Sequence, residues 1–197
     1  MRLVLPTDEG IAEAASLIRA GEVVAYPTET VYGLAVDPFS TTAIQKLFAV
    51  KGRNESNPVL LIAANLEQVE QVVDRISAAA RKCIDRFWPG PLGLVLPKAA
   101  SVPAALCAGG PKVCVRVTAS QTARALSLAV GHPITSTSAN RSGAPPARTA
   151  SAIDLNGVSL CVDGGDLALS LPSTVFDPDA RVIIRAGAVP ASALVDE

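Results

Sequence analysis

Four polar stretches interrupt otherwise apolar segments of this 197-residue chain, and they hold most of the side chains able to do chemistry. The first is Pro27-Thr28-Glu29-Thr30-Val31-Tyr32-Gly33. Its hydroxyls, carboxylate and phenol at a strand end can orient a small polar ligand, or form a turn with ordinary hydrogen bonds. The second is Lys51-Gly52-Arg53 with Asn57-Pro58 behind it. A glycine that lets backbone approach, flanked by an ammonium and a planar guanidinium, suits a polyphosphate; a solvated charged loop is the alternative. In a loop, Lys51 and Arg53 are expected to matter for activity rather than for stability. The third, Ser136-Thr137-Ser138-Ala139-Asn140-Arg141-Ser142-Gly143, places five hydroxyl or amide groups and an arginine just past a strand that begins at Pro133. So many donors, with free backbone N–H groups in a glycine-containing turn, make a cradle for an anion or for adenine and ribose. The fourth is Ser173-Thr174 at the head of one strand, with Arg185 at the end of the next. Arg116 stands apart, a charge inside the alternation Val113-Cys-Val-Arg-Val117, so it must meet a ligand at a sheet face or be paired.

What is missing narrows the chemistry. There is no Gly-x-x-x-x-Gly-Lys-Ser/Thr and no Gly-x-Gly-x-x-Gly, so a nucleotide would be held by scattered side chains. A single histidine, His132, before Pro133, argues against a His-rich zinc site or a His-dependent triad and reads as structural. The four cysteines, Cys83, Cys107, Cys114 and Cys161, form no Cys-x-x-Cys pair and read as free, buried thiols. Overall charge is −1, with 17 Lys+Arg against 18 Asp+Glu, but residues 86–153 carry seven basic side chains and no acidic one. That asymmetry points to a local anion site, while a pI near 5.9 excludes a surface that is a nucleic-acid clamp throughout.

The elements that must position these groups follow from periodicity. Asp8 can cap a helix to about Arg19, closed by Gly21; Ser40 or Thr41 caps another to about Val50; further helices are expected near 66–74, 77–87 and from Ser120 to about Val130. Strands are expected at 22–26, 34–36, 58–62, 94–96, 113–117, 134–136, 160–162, 174–176 and 182–184, with Trp88-Pro-Gly-Pro91 turning the chain. Some strands follow each other too closely for a parallel crossover, so an α+β (mixed α/β) fold with a mixed sheet in one domain, residues 1–197, is expected. With 49% hydrophobic and 18% charged residues the chain is a compact globule. No apolar run spans a bilayer, and Pro6, Asp8 and Glu9 break the N-terminus before a signal core could form, so the expected location is the cytoplasm with no membrane partner.

In chain order, Pro27-Thr-Glu-Thr-Val-Tyr-Gly-Leu34, Lys51-x-Arg53 with Asn57-Pro58, Trp88-Pro-Gly-Pro-Leu92, Val115-Arg116-Val117, Ser136-Thr-Ser-Ala-Asn140, Asp163-Gly-Gly165, Ser173-Thr-Val175 and Arg185-x-Gly187 resemble the YrdC-type threonylcarbamoyl-AMP synthases over nearly the whole chain. The resemblance implies a twisted mixed sheet of about seven strands, flanked by helices around a large positive concavity. It implies a nucleotidyltransferase that makes threonylcarbamoyl-AMP and pyrophosphate from L-threonine, bicarbonate (or CO2) and ATP with Mg2+. Partner proteins then transfer the group to the adenosine beside the anticodon of tRNA, and direct RNA binding by this chain is left open.

By similarity, Lys51, Arg53, Asn57, Lys112, Ser138, Asn140 and Arg185 hold ATP, with Lys51 and Arg53 catalytic. Thr30, Arg116, Ser136 and Ser173 hold threonine, Arg116 taking its carboxylate; no residue is implied as a resident metal ligand. The chain departs from the family pattern at Gly93, where Thr is usual, at Ile62, where one branch has a threonine-contacting His, and at Pro146, where a nucleotide-contacting Ser can stand. It ends ten residues after Gly187, which fits the short, single-domain form of the family. The competing class is a YrdC-type fold kept as a non-catalytic RNA-binding module in tRNA or ribosome maturation; such a module could discard Lys51, Arg53 and Asn140, all of which are present.

Overall fold

The computed structural model describes residues 1–52 and 57–195. Among the described residues ten strands, rather than about seven, join one mixed sheet. They are β1 (Arg2–Val4), β2 (Val23–Pro27), β3 (Tyr32–Ala35), β4 (Leu60–Ala63), β5 (Leu92–Pro97), β6 (Lys112–Val117), β7 (Ile134–Ser138), β8 (Val158–Val162), β9 (Thr174–Asp177) and β10 (Val182–Arg185). Across the sheet they run β1-β8-β2-β3-β7-β4-β6-β5-β9-β10. Pairs β1/β8, β8/β2, β4/β6 and β5/β9 are parallel and the others antiparallel. β1 is not expected from local pattern, and its three residues become a strand only by pairing with β8.

The helices are α1 (Asp8–Arg19), α2 (Thr41–Lys51), α3 (Leu66–Glu70), α4 (Ala78–Phe87), α5 (Gln121–Val130) and the short α6 (Ser192–Val195). Thr7, not Asp8, caps α1: its side chain accepts from Gly10 N, and Asp8 and Glu9 occupy the first turn, where the helix dipole favours acids. Ser40, Ser77 and Ser120 cap α2, α4 and α5 in the same way. Gly52 ends α2 with φ of 57°, a left-handed conformation glycine adopts without strain. None of the helices is long and apolar enough to cross a membrane among the described residues.

Helices cover both faces of the sheet. On one, Ile44, Leu47 and Phe48 of α2, Val69 of α3 and Ala80 and Ile84 of α4 pack with Val23, Leu34, Leu61 and Val115. On the other, Ile11, Ala14, Ala15 and Ile18 of α1 and Ala123, Leu126 and Val130 of α5 close over Val24, Tyr26, Ala35, Ile62 and Ile134. Ile62 is thus fully enclosed, even though its register partner on β6 is Arg116. The second face extends beyond α1 and α5, and register defines what lies there. Leu60 stands opposite both Cys114 and Ser136, Gly33 opposite Ser138, Val95 opposite Cys114, and Gly93 opposite Val175. Residues directly opposite share a face. This uncovered floor is where the site forms.

Candidate functional site

The floor opens into a cavity of about 790 Å³, within the range that holds a nucleotide-sized ligand. Strand alternation explains its polarity. Ser136 and Ser138, two apart on β7, both line it, whereas Thr135, one residue before Ser136, turns into the core, donating to Leu34 O and accepting from Val36 N. The strand therefore runs to Ser138, two residues further than expected, and the turn begins only at Ala139. Arg116 and Cys114 face the cavity from β6 by the same alternation.

Eight residues singled out from the sequence line this one cavity: Thr30, Asn57, Arg116, Ser136, Ser138, Asn140, Ser173 and Arg185. Arg53 falls outside the described residues. Lys51 and Lys112 do not line it. Lys51 is the last residue of α2 rather than part of a solvated loop, and is 4% exposed. Its Nζ donates to Ser138 O and, at 2.9 Å, to Asn140 O, and its own carbonyl accepts from Ser142 N. Lys51 thus braces the turn after β7 from behind, which corrects the expectation that its substitution would spare stability. Lys112, at the start of β6, pairs through Nζ with Asp177 Oδ2 at 2.5 Å, which neutralises its charge locally.

Two further placements correct the sequence reading. The Tyr32 phenol orients no ligand: its hydroxyl donates to Gly165 O at 2.8 Å and accepts from Gly164 N at 3.0 Å, and burial pushes it up to about 12. Asp163-Gly-Gly165 is therefore its anchor. Arg148, which the sequence marked only as one of seven basic residues in the acid-free stretch, lines the cavity. It donates to Ala168 O at 2.5 Å and Ser170 O at 3.2 Å, strapping the segment before Ser173 across the rim. The acid-free run of residues 86–153 was the one signal in the sequence, and it did not single out Arg148 from the other six basic residues.

Arg116, Arg148 and Arg185 give the cavity three guanidinium groups, and no Asp or Glu lines it among the described residues. Burial lowers Arg185 from its ordinary value, the Cys114 thiol opposes this, and the positive charge of Arg116 adds to it. Arg185 stays cationic, since an arginine starts so far above neutrality. It donates to Ser173 O and, at 2.9 Å, to Ser173 Oγ, so the residues assigned to nucleotide and to threonine meet there. Among the described residues, two buried polar side-chain atoms have no hydrogen-bond partner: Arg116 Nε and Asn140 Oδ1. Buried donors and acceptors are normally satisfied, so a donor on one wall and an acceptor on another are signs of a ligand that completes them.

The rest of the floor is apolar. A Cβ at Gly93 would come within 2.9 Å of Leu60 Cδ1 and 3.0 Å of Cys114 Sγ, so these side chains occupy the space a larger residue would need. Burial pushes the Cys114 thiol up to about 12 and makes it a packing group rather than a nucleophile. Among the described residues none of the four cysteines forms a disulfide. His132 lies apart, its ring edge-on to Phe39 at 5.2 Å and Nδ1 2.8 Å from Pro133 O. No group of three or more His, Cys, Asp or Glu side chains among the described residues could hold a metal ion.

The family model Sua5/YciO/YrdC, described as telomere recombination, matches residues 16–187. The threonylcarbamoyl-AMP synthase of Pyrococcus abyssi is 38% identical over 200 residues, covering 96% of this chain and 59% of that protein. The protein of the same name from Thiobacillus denitrificans is 39% identical over 171 residues, covering 86% of this chain and 91% of the relative. The crystal structure of P. abyssi Sua5 complexed with L-threonine superposes with a TM-score of 0.90 at 36% identity, over 96% of this chain and 57% of that one. The chain thus spans less than two thirds of the length of the Pyrococcus protein.

Proposed function

We propose, for a chain that belongs to the Sua5/YciO/YrdC family, a nucleotidyltransferase that forms threonylcarbamoyl-AMP and pyrophosphate from L-threonine, bicarbonate or CO2 and ATP. The observation that carries the reading is the cavity itself: among the described residues it is lined by three arginines and no carboxylate, with an unpartnered donor and acceptor on Arg116 and Asn140. Such a lining suits a substrate pair rich in anionic oxygen. Its acid-free character also counts against an enzyme that needs clustered carboxylates for a resident metal.

In this reading Arg116 receives the threonine carboxylate, with Thr30, Ser136 and Ser173 around the rest of the amino acid. Ser138, Asn140, Asn57 and Arg185 hold the nucleotide, and Lys51 keeps the 138–142 turn in shape beneath it. Arg53 and Lys112 join this set by family resemblance alone. The threonine amine captures CO2, a carbamate oxygen attacks the α-phosphorus, and pyrophosphate leaves; no side-chain nucleophile is required. Magnesium enters as part of the ATP substrate and neutralises the leaving phosphates. The protein supplies orientation, donors fixed before charge develops, and exclusion of water from a labile carbamate and anhydride. Transfer to tRNA would fall to separate partner proteins in the cytoplasm. Of the basic residues of 86–153, Arg116 and Arg148 line the cavity, Lys98 bonds Val102 O, and Lys112 pairs with Asp177.

Incubating the pure protein with Mg-ATP, threonine and bicarbonate should release pyrophosphate only when both threonine and bicarbonate are present, with the adenylate detected by mass. Release of orthophosphate, or turnover without threonine, would sink the adenylation reading.

Amino-acid choice gives a second check. The arginine reads a carboxylate that every amino acid has, so selectivity must arise at the side chain. Serine, lacking one methyl, should lose about 1–3 kcal/mol in kcat/KM, and valine, which leaves hydroxyl-reading groups unpaired, should lose more. Valine ranking at or above serine would show that no pocket group reads the hydroxyl.

A further inference from the structure

Glu29 lies just outside the cavity lining, yet it is bonded to both halves of the threonine end. One of its carboxylate oxygens, Oε1, accepts from Arg116 Nη1 and, at 3.4 Å, from Ala119 N; the other, Oε2, accepts from the Thr118 hydroxyl at 2.7 Å. Arg116 Nη1 also reaches Gly90 O at 3.4 Å, in the Trp-Pro-Gly-Pro turn. One end of the guanidinium is thus tied down while Nε, on its other edge, is buried without a partner. Glu29 also belongs to a turn that is stiff in itself. The Thr28 hydroxyl donates to Val31 O, accepts from the backbone of Thr30 and Val31, and lies 3.1 Å from the Thr30 hydroxyl. A second tie, Ser120 Oγ to Pro27 O at 3.2 Å, docks the same turn on the start of α5.

We infer that Glu29 is the positioning residue of the amino-acid end of the cavity, setting through its ion pair where Arg116 presents its free edge and where the turn carrying Thr30 sits. The inference rests on the threonine reading above. The Arg116 side chain is only 3% exposed. Without Glu29 it would be a buried cation free to follow any nearby carbonyl, and the turn would lose its anchor to β6. Burial raises the Glu29 carboxyl, but the charge of Arg116 and the hydrogen bonds from Arg116 and Thr118 outweigh this and hold it below its ordinary value, so it is an anion at neutral pH. A carboxylate so held is a poor proton acceptor for the substrate amine, which leaves positioning as its role.

The test is direct binding of L-threonine and of ATP, measured by calorimetry on the full chain as wild type, Glu29→Ala, Glu29→Asp and Glu29→Gln. Hydrogen bonds to charged groups are strong enough that Glu29→Ala should weaken threonine binding by about tenfold or more, while ATP affinity changes less than about twofold. Glu29→Gln keeps an acceptor for Arg116 and should recover most of the loss; Glu29→Asp, too short to reach, should not. If Glu29→Ala does not fold, Glu29→Asp decides by the same comparison. Unchanged threonine affinity, or equal losses for threonine and ATP in a folded variant, would overturn the inference. A wild-type protein that bound ATP but no threonine would instead overturn the threonine reading beneath it.

Discussion

Arg116→Ala is expected to raise the threonine KM by about 10²-fold or more with little change in the ATP KM, because a bidentate, charge-assisted contact in a shielded site is lost at one end of the cavity only. Stability should fall as well. Arg116 and Glu29 form a buried ion pair, and removing one partner strands the other. Such losses run to roughly 3–5 kcal/mol for fully buried pairs and should lie at the low end here, because the Glu29 side chain keeps 19% exposure. The double variant Arg116→Met, Glu29→Gln separates the two effects: taking away both charges should restore much of the stability and none of the threonine affinity. Arg116→Lys should also bind threonine poorly, since an ammonium on a flexible stem offers neither the planar edge nor the Nε donor. An unchanged threonine KM in folded Arg116→Ala would remove the arginine from the substrate site.

Lys51→Ala should lower kcat/KM by about 10²-fold, the usual scale for losing a fixed donor or the geometry it maintains in a shielded site. Unlike a change in a solvated loop, it should also lower the thermal midpoint. Two carbonyls, Ser138 O and Asn140 O, now accept from the Lys51 ammonium, and a buried group left without its bond costs about 1–3 kcal/mol. The end of β7 and the turn after it present Ser138 and Asn140 to the cavity, so nucleotide KM should rise more than threonine KM. Lys51→Met, which keeps the stem and removes the charge, should repair packing without restoring activity. Near-native turnover in either folded variant would reduce Lys51 to a structural brace.

Much of the fold was legible because local rules and tertiary demands agree. The helix caps at Ser40, Ser77 and Ser120 and the apolar strand segments are read from neighbours within a few residues, and they form where expected. The exceptions are instructive. Thr7 took the cap from Asp8 because the hydroxyl one residue earlier meets Gly10 N, and β1 needed β8 to become a strand at all. Of the site, the polar interruptions of apolar strands and the lone charge of Arg116 were the signal, and the eight candidate ligand-binding residues they gave line one cavity.

By itself, then, the sequence determined the family, through ordered motifs, and the set of polar side chains that no core could absorb. It could not determine how those side chains are divided between ligand and protein. Glu29 and Arg116 lie 87 residues apart and Lys51 and Asn140 lie 89 apart, so neither pairing leaves a trace in local spacing. Tyr32 and Lys112 look available in sequence and are claimed by Gly165 and Asp177 only once the chain is folded. Charge and hydrogen-bonding capacity are properties of residue types, legible in one dimension. Which of them remain unsatisfied depends on register and on which elements meet, and that is decided only where the fold leaves Arg116 Nε and Asn140 Oδ1 without partners, on two residues that line one cavity.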